Sequence, residues 1–166
     1  LEFRRVLFRS LLGFVTGAAG APTGLALSAT TVPENRPAGT AVGTLTTIDP
    51  EPGDTFAYTL VSGTGSADNA QFTIVGDALV TAAPFDFEAR SSYSVRIRST
   101  DSDGYWTERA FTITVIDGND APILAGVPAT AAYTENAGPT LTASAGLVTD
   151  RDSPQLGGGN LTVTIL

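Results

Sequence analysis

The sequence predicts an all-β chain: a seven-stranded antiparallel Greek-key sandwich, then a truncated second sandwich repeat. Three observations predict it. Apolar and polar residues alternate over short runs, the period of a strand with one buried face. Gly, Pro and Asp separate the runs, and the chain holds 18 Gly and 10 Pro in 166 residues. Two signatures recur about one domain length apart: Ala21-Pro22 returns as Ala121-Pro122, and Pro33-Glu34-Asn35 as Thr134-Glu135-Asn136. A period near one hundred residues describes tandem whole domains rather than a solenoid of small units.

The elements follow in order. Leu25 and Leu27 alternate with Ala26 and Ser28, and a second run covers Val42 to Ile48. Phe56, Tyr58 and Leu60 alternate with Ala57, Thr59 and Val61. Phe72 and Ile74 lead into Gly76-Asp77, a pair suited to a tight hairpin before Leu79. Tyr93, Val95 and Ile97 alternate with Ser94, Arg96 and Arg98, which turns two cations to solvent. Phe111, Ile113 and Val115 close the set. Seven short strands in about a hundred residues suit a sandwich that needs no disulfide. Trp106, after the Asp103-Gly104 turn, is expected to pack rather than to serve as a ligand-stacking platform.

Composition excludes several functions. Cys, His, Met and Lys are absent, and all nine cations are Arg. No disulfide framework and no Cys/His zinc site can form. A Ser-His-Asp triad, a Cys nucleophile and a Lys base are equally ruled out. Asp86 and Glu88 are the nearest carboxylate pair for glycosidase-type chemistry, and no catalytic residue is expected. A net charge of −8 disfavours nucleic acid as a partner. No apolar run approaches the ~20 residues of a membrane helix.

The acidic residues instead suit a hard cation. Pro33-Glu34-Asn35 follows the first strand, Phe85-Asp86-Phe87-Glu88 lies before the Tyr93 strand, and Asp117-Gly118-Asn119-Asp120-Ala121-Pro122 follows the last. The first and third motifs set a carboxylate beside an asparagine amide oxygen, and the second pairs two carboxylates, all of them at strand ends or in loops and suited to Ca²⁺. The junction with the second repeat lies at the pole of Asp117. If Glu34 and the Asp86/Glu88 loop reach that pole, their oxygens converge there, and Asp150 and Asp152 add two more from the second repeat. The competing reading is turn chemistry alone, because Asp, Asn, Gly and Pro fill loops for backbone reasons.

The order P-E-N, F-D-F-E, D-x-D-G, D-x-N-D-A-P resembles the cadherin repeat, in the form found in large bacterial surface proteins. The resemblance implies inter-repeat Ca²⁺ held by Glu34, Asp86, Glu88, Asp117, Asn119, Asp120, Asp150 and Asp152, with Phe85 where the family usually has Leu. It also aligns Asp49, Glu51 and Asp101 with a second site on the upstream linker. There Glu51 replaces the usual Asp, and the slot for the preceding repeat's motif, Gly17-Ala18-Ala19-Gly20, carries no side-chain oxygen. A plain flexible linker is the alternative at that end. Asp103 is expected to serve the Asp-Gly turn. Ca²⁺ shared by two repeats would stiffen a joint that otherwise bends under its own charge. Tyr133-Thr134-Glu135-Asn136 and Thr149-Asp150-Arg151-Asp152 resemble a related repeat of bacterial adhesins.

Residues 23–121 are thus expected to form one cadherin-like domain and 122–166 a truncated second, with 11–22 a linker or the end of a preceding module. Leu1–Ser10 holds three of the nine arginines and resembles a translated sequencing adapter. The alternative is the basic start of a signal peptide running into Leu11-Leu12-Gly13-Phe14-Val15. Without those ten residues, six arginines face sixteen acids, a net −10. The function implied is a calcium-stiffened adhesive module of a secreted or cell-surface protein. Its partners would be neighbouring repeats and surface proteins or glycans. The alternative is a non-catalytic spacer of an extracellular hydrolase.

Overall fold

The computed structural model describes residues 20–126 and 147–152. The repeated Glu135-Asn136 motif, the alternating run at 161–166 and the first ten residues lie outside them. The chain divides into two compact units, Leu1–Asp117 and Gly118–Leu166.

Among its described residues the first unit has eight strands: β1 (Gly24–Leu27), β2 (Thr31–Pro33), β3 (Ala41–Ile48), β4 (Ala57–Leu60), β5 (Phe72–Val75), β6 (Ala78–Thr81), β7 (Ser92–Thr100) and β8 (Trp106–Ile116). They form two four-stranded sheets, β1-β3-β6-β5 and β2-β8-β7-β4. The expected count rises from seven to eight because the first strand divides between the sheets. The Ser28 amide still donates to the Thr44 carbonyl of β3, whereas the Thr30 carbonyl already accepts from Thr114 of β8. β1 pairs antiparallel with β3, but β2 runs parallel to β8, the one parallel pair in an otherwise antiparallel unit among the described residues.

The alternation read from sequence locates the core. Val95 and Ile97 of β7, Ile113 and Val115 of β8, and Leu79 of β6 are fully or almost fully buried between the sheets. β3 breaks strict alternation, since Val42 and Leu45 are three apart and both buried. A register shift between Ala41 and Gly43 against β6 inserts one extra residue, which brings both to the same face. Val75 and Ala78 pair across the Gly76-Asp77 turn, with Gly76 at φ 64°. That is the conformation the first position of a two-residue hairpin requires.

Gly43 is needed where the divided strand changes sheets. A Cβ there would stand 2.8 Å from the Ala29 nitrogen and 2.9 Å from its oxygen, both backbone atoms that cannot swing aside. Gly43→Ala is expected to lower stability by about 1–3 kcal/mol, as overpacking does. A urea melt of the variant checks this.

Trp106 departs from expectation. It is half exposed on the outer face, with the Arg98 guanidinium 4.3 Å from its ring centroid. Beside it, Glu108 accepts from both Arg96 and Arg98. The Arg98 hydrogen bond first, then that from Arg96, holds the Glu108 carboxyl below the usual range. Such surface pairs contribute little to stability.

In the second unit β9 (Ile123–Ala125) pairs antiparallel with β10 (Leu147–Thr149).

Candidate metal centres

The parallel pairing of β2 with β8 builds the first cluster. Pro33 pairs with Ile116, so the next residues on each strand, Glu34 and Asp117, leave the sheet side by side. The Glu34 amide donates to the Ile116 carbonyl at 3.1 Å. Proline suits the last paired position of an edge strand, because no N–H is needed outward. Asn35 then turns at φ 56°, a left-handed conformation that asparagine tolerates. Its amide donates to the Phe85 carbonyl at 2.9 Å, while Glu34 Oε2 accepts the Phe87 amide at 2.8 Å. These two bonds tie the P-E-N turn to the F-D-F-E loop.

Glu34, Glu88 and Asp117 each bring a carboxylate oxygen within 4.8 Å of the others. Oxygens on opposite sides of a calcium ion, at bond lengths of 2.3–2.6 Å, stand about 5 Å apart. The spacing therefore fits one hard cation. Glu34 is 4% exposed, and Glu88 and Asp117 are open to solvent. Asp86 is not one of the three. Its Oδ1 accepts the Ala89 amide at 2.9 Å and its carbonyl accepts the Arg90 amide, closing the turn that presents Glu88.

Two residues that position this loop were not singled out from sequence. Asp68, 7% exposed, takes both guanidinium nitrogens of Arg90 at 2.7 Å and the Ser94 amide at 2.7 Å. Burial works against the Asp68 charge, yet the Ser94 amide and the Arg90 guanidinium outweigh it and hold its carboxyl below the ordinary value. Arg90 also lies 4.5 Å from the Tyr93 ring centroid, and Tyr93 stacks on Phe85 at 4.3 Å. The loop between Phe85 and Arg90 is therefore held at both ends. A signal existed: Arg90 is the cation two positions beyond the last acid of F-D-F-E.

The second unit gathers its own acids. Asp150 follows β10, and its Oδ1 accepts the Asp152 amide at 3.0 Å. The Asp120 amide in turn donates to Asp152 Oδ2. Asn119 donates its side-chain amide to the Asp120 carbonyl at 2.9 Å. Hydrogen bonds thus link Asp120, before β9, to Asp152 and through it to Asp150, after β10.

A further cluster lies at the other end of β7. Nine residues at strand rise separate it from the first by roughly 27 Å. Asp49, after β3, and Asp101, after β7, come together there as expected, but Glu51 does not join them; its Oε2 accepts the Gly20 amide at 2.7 Å. The third member is Asp54, which the sequence reading did not select. The Asp103 amide bonds Asp101 Oδ1 at 3.0 Å beside Gly104, φ 93°, as a turn residue does.

The family model for the cadherin domain matches residues 28–116, over half of the chain. The chain belongs to the cadherin domain family. It is 35% identical over 96 residues to the human cadherin EGF LAG seven-pass G-type receptor 2, and 33% identical to the mouse counterpart. Each match covers 54% of this chain and 3% of the relative's length. Among solved structures, the human desmocollin-1 ectodomain is 26% identical, covering 63% of this chain and 22% of that one, with a TM-score of 0.48. The cadherin domains 1–4 of protocadherin gamma B7 are 24% identical, covering 78% and 33%, with a TM-score of 0.46. The cadherin domain is an extracellular, non-catalytic adhesion module, and cadherin domains in general bind Ca²⁺. No described helix is long and apolar enough to cross a membrane.

Proposed function

We propose that this cadherin domain is a calcium-binding link in a large cell-surface or secreted protein, of the bacterial kind its motif order suggests, and that it serves cell adhesion by keeping successive repeats in line. The observation that carries this reading is the meeting of Glu34, Glu88 and Asp117 within 4.8 Å where β8 hands the chain onward. Three carboxylates so close repel one another unless a cation sits among them. Asp86, whose Oδ1 caps the turn that presents Glu88, belongs to the set by the family's motif order rather than by its place in the cluster. Asn119, Asp120, Asp150 and Asp152 of the following unit supply the ligands that make the ion a shared one. Its partners are then the neighbouring repeats, with surface proteins or glycans contacted elsewhere along the protein.

Calorimetric titration of the full chain with CaCl₂ tests this. Binding is expected at roughly 10⁻⁴–10⁻³ M, the range of extracellular modules. At one hundred times Kd the ion stabilises the fold by about 2.7 kcal/mol. Asp117→Ala should weaken the binding at this end at least about tenfold, or about 1.4 kcal/mol. Heat and melting curves that ignore calcium would end the reading.

A further inference from the structure

We propose that β1 and the first half of β8 present a latent strand-pairing surface, and that Arg109 keeps it closed to a second copy of this chain. The inference stands on residues apart from the acidic clusters and does not depend on calcium.

β1 and β8 lie in different sheets, and each leaves a side unpaired. The Ser28 amide bonds the Thr44 carbonyl of β3, so alternation turns the backbone groups of Leu25 and Leu27 away from β3. Beside β8, the Val115 amide bonds the Ser91 carbonyl on the β7 side, and the Thr114 amide bonds the Thr30 carbonyl on the β2 side. The even-numbered positions of β8 therefore face away from β7. β2 covers that side only at Thr114–Ile116. Trp106, Glu108, Ala110 and Thr112 thus direct N–H and C=O groups to a side where no described strand pairs. Such a row is a template for an incoming strand.

Arg109 stands at the middle of that row. Alternation sets its side chain on the core side of β8, in line with Phe111, Ile113 and Val115. Its NH1 donates to the Leu25 carbonyl at 3.0 Å, and its guanidinium lies 5.2 Å from the Phe111 ring centroid. The bond occupies an outward carbonyl of β1, a group that an added strand would need there. Among the described residues the ion pairs use Arg90, Arg96 and Arg98, so no carboxylate neutralises Arg109.

Register decides what happens at β8. Two copies related by a two-fold axis pair this edge antiparallel, the same patch meeting itself. The register centred on residue 109 uses every unpaired group of the row, setting Trp106 against Thr112 and Glu108 against Ala110. It also sets Arg109 opposite its own counterpart, in a non-hydrogen-bonded pair whose Cα atoms stand about 4.5 Å apart. Like charges directly opposite are destabilising. No other pair of that register opposes two like charges. Arg109 thus bars β8 by its charge and β1 by its hydrogen bond, as an inward-pointing charge on an edge strand does.

The test follows the oligomeric state of the full chain by sedimentation equilibrium, in EDTA so that no calcium bridges two copies. The parent and Arg109→Lys, which keeps the charge, are expected to be monomeric. Arg109→Val removes the charge and suits a strand; it should form a dimer at least about tenfold tighter than any the parent forms. The Glu108, Ala110 and Thr112 amides should exchange quickly in the parent and slow in Arg109→Val as its concentration rises, read by NMR. Adding Thr112→Pro removes one N–H of the row at an edge position that proline tolerates, and should return Arg109→Val to monomer. Arg109→Gln, which keeps a donor for Leu25 without the charge, gives the same test if the valine variant melts too low to be read. Folded, uncharged variants that sediment and exchange as the parent does would overturn the proposal. A dimer that survives Thr112→Pro, or that Arg109→Lys forms equally well, would overturn it too.

Discussion

Phe85→Ala is expected to destabilise the first unit by about 3–5 kcal/mol, the range for removing a buried aromatic ring, and to weaken cation binding at the Glu34 cluster along with it. Phe85 is 4% exposed. Its ring meets Phe72 edge-on at 5.4 Å and stacks on Tyr93 at 4.3 Å with 15° between the planes. Its carbonyl accepts the Asn35 amide, and Asp86 is the next residue. The ring is thus the point where the core fixes the loop that carries Glu88. At about 4–8 °C per kcal/mol for a domain near a hundred residues, the melting point should fall by more than about 12 °C. Phe85→Leu, which installs the residue usual in the family, should cost less, about 1–2 kcal/mol, since most of the buried volume stays filled. A thermal melt with and without calcium measures both. If Phe85→Ala melts lower yet binds calcium as the parent does, the loop is held by something other than this ring.

The second large effect is expected at Asp68. Asp68→Ala strands the Arg90 guanidinium and a buried Ser94 amide, and breaking such a pair costs 3–5 kcal/mol when both partners are buried. Arg90 is half exposed, so the expected loss is about 3 kcal/mol, the lower end. The acid dependence has a definite sign. The Asp68 carboxyl is held below its ordinary value of 3.8 in the folded chain, so the folded state keeps its charge longer than the unfolded state does. The stabilisation is present above that value and disappears as pH falls through the lower, folded one. Asp68→Asn should therefore lose stability at neutral pH and show a flatter acid limb than the parent. Melting points taken from neutral pH down through the carboxylate range measure this. Parallel acid limbs in the two proteins would show that Asp68 is not the group involved.

The two cases also show what sequence could and could not carry. The strand cores were legible because period-two alternation depends only on neighbouring residues: Val95, Ile97, Ile113 and Val115 face inward as the pattern requires. The split of the first strand was not legible. It depends on Thr30 finding Thr114 and on Gly43 lying beneath Ala29, contacts between segments far apart in the chain. The burial of both Val42 and Leu45 escaped for a similar reason, because a bulge is defined by the partner strand. Trp106 was expected to pack, and its place on the outer face under Arg98 follows from the register of β8, not from its type.

Within the clusters the same division holds. The amino-acid sequence by itself supplied oxygen donors in a family order, excluded the chemistry of His, Cys and Lys, and set the strand ends where those donors cluster. Only the tertiary structure decided which acids meet. Glu34 reaches Asp117 because β2 runs parallel to β8, and Asp54 rather than Glu51 joins Asp49 and Asp101 because Glu51 is committed to the Gly20 amide. Carboxylates are alike in sequence. What separates a ligand from a turn cap is whether its second oxygen is turned toward its neighbours, and that is fixed by hydrogen bonds between residues the chain brings together only on folding.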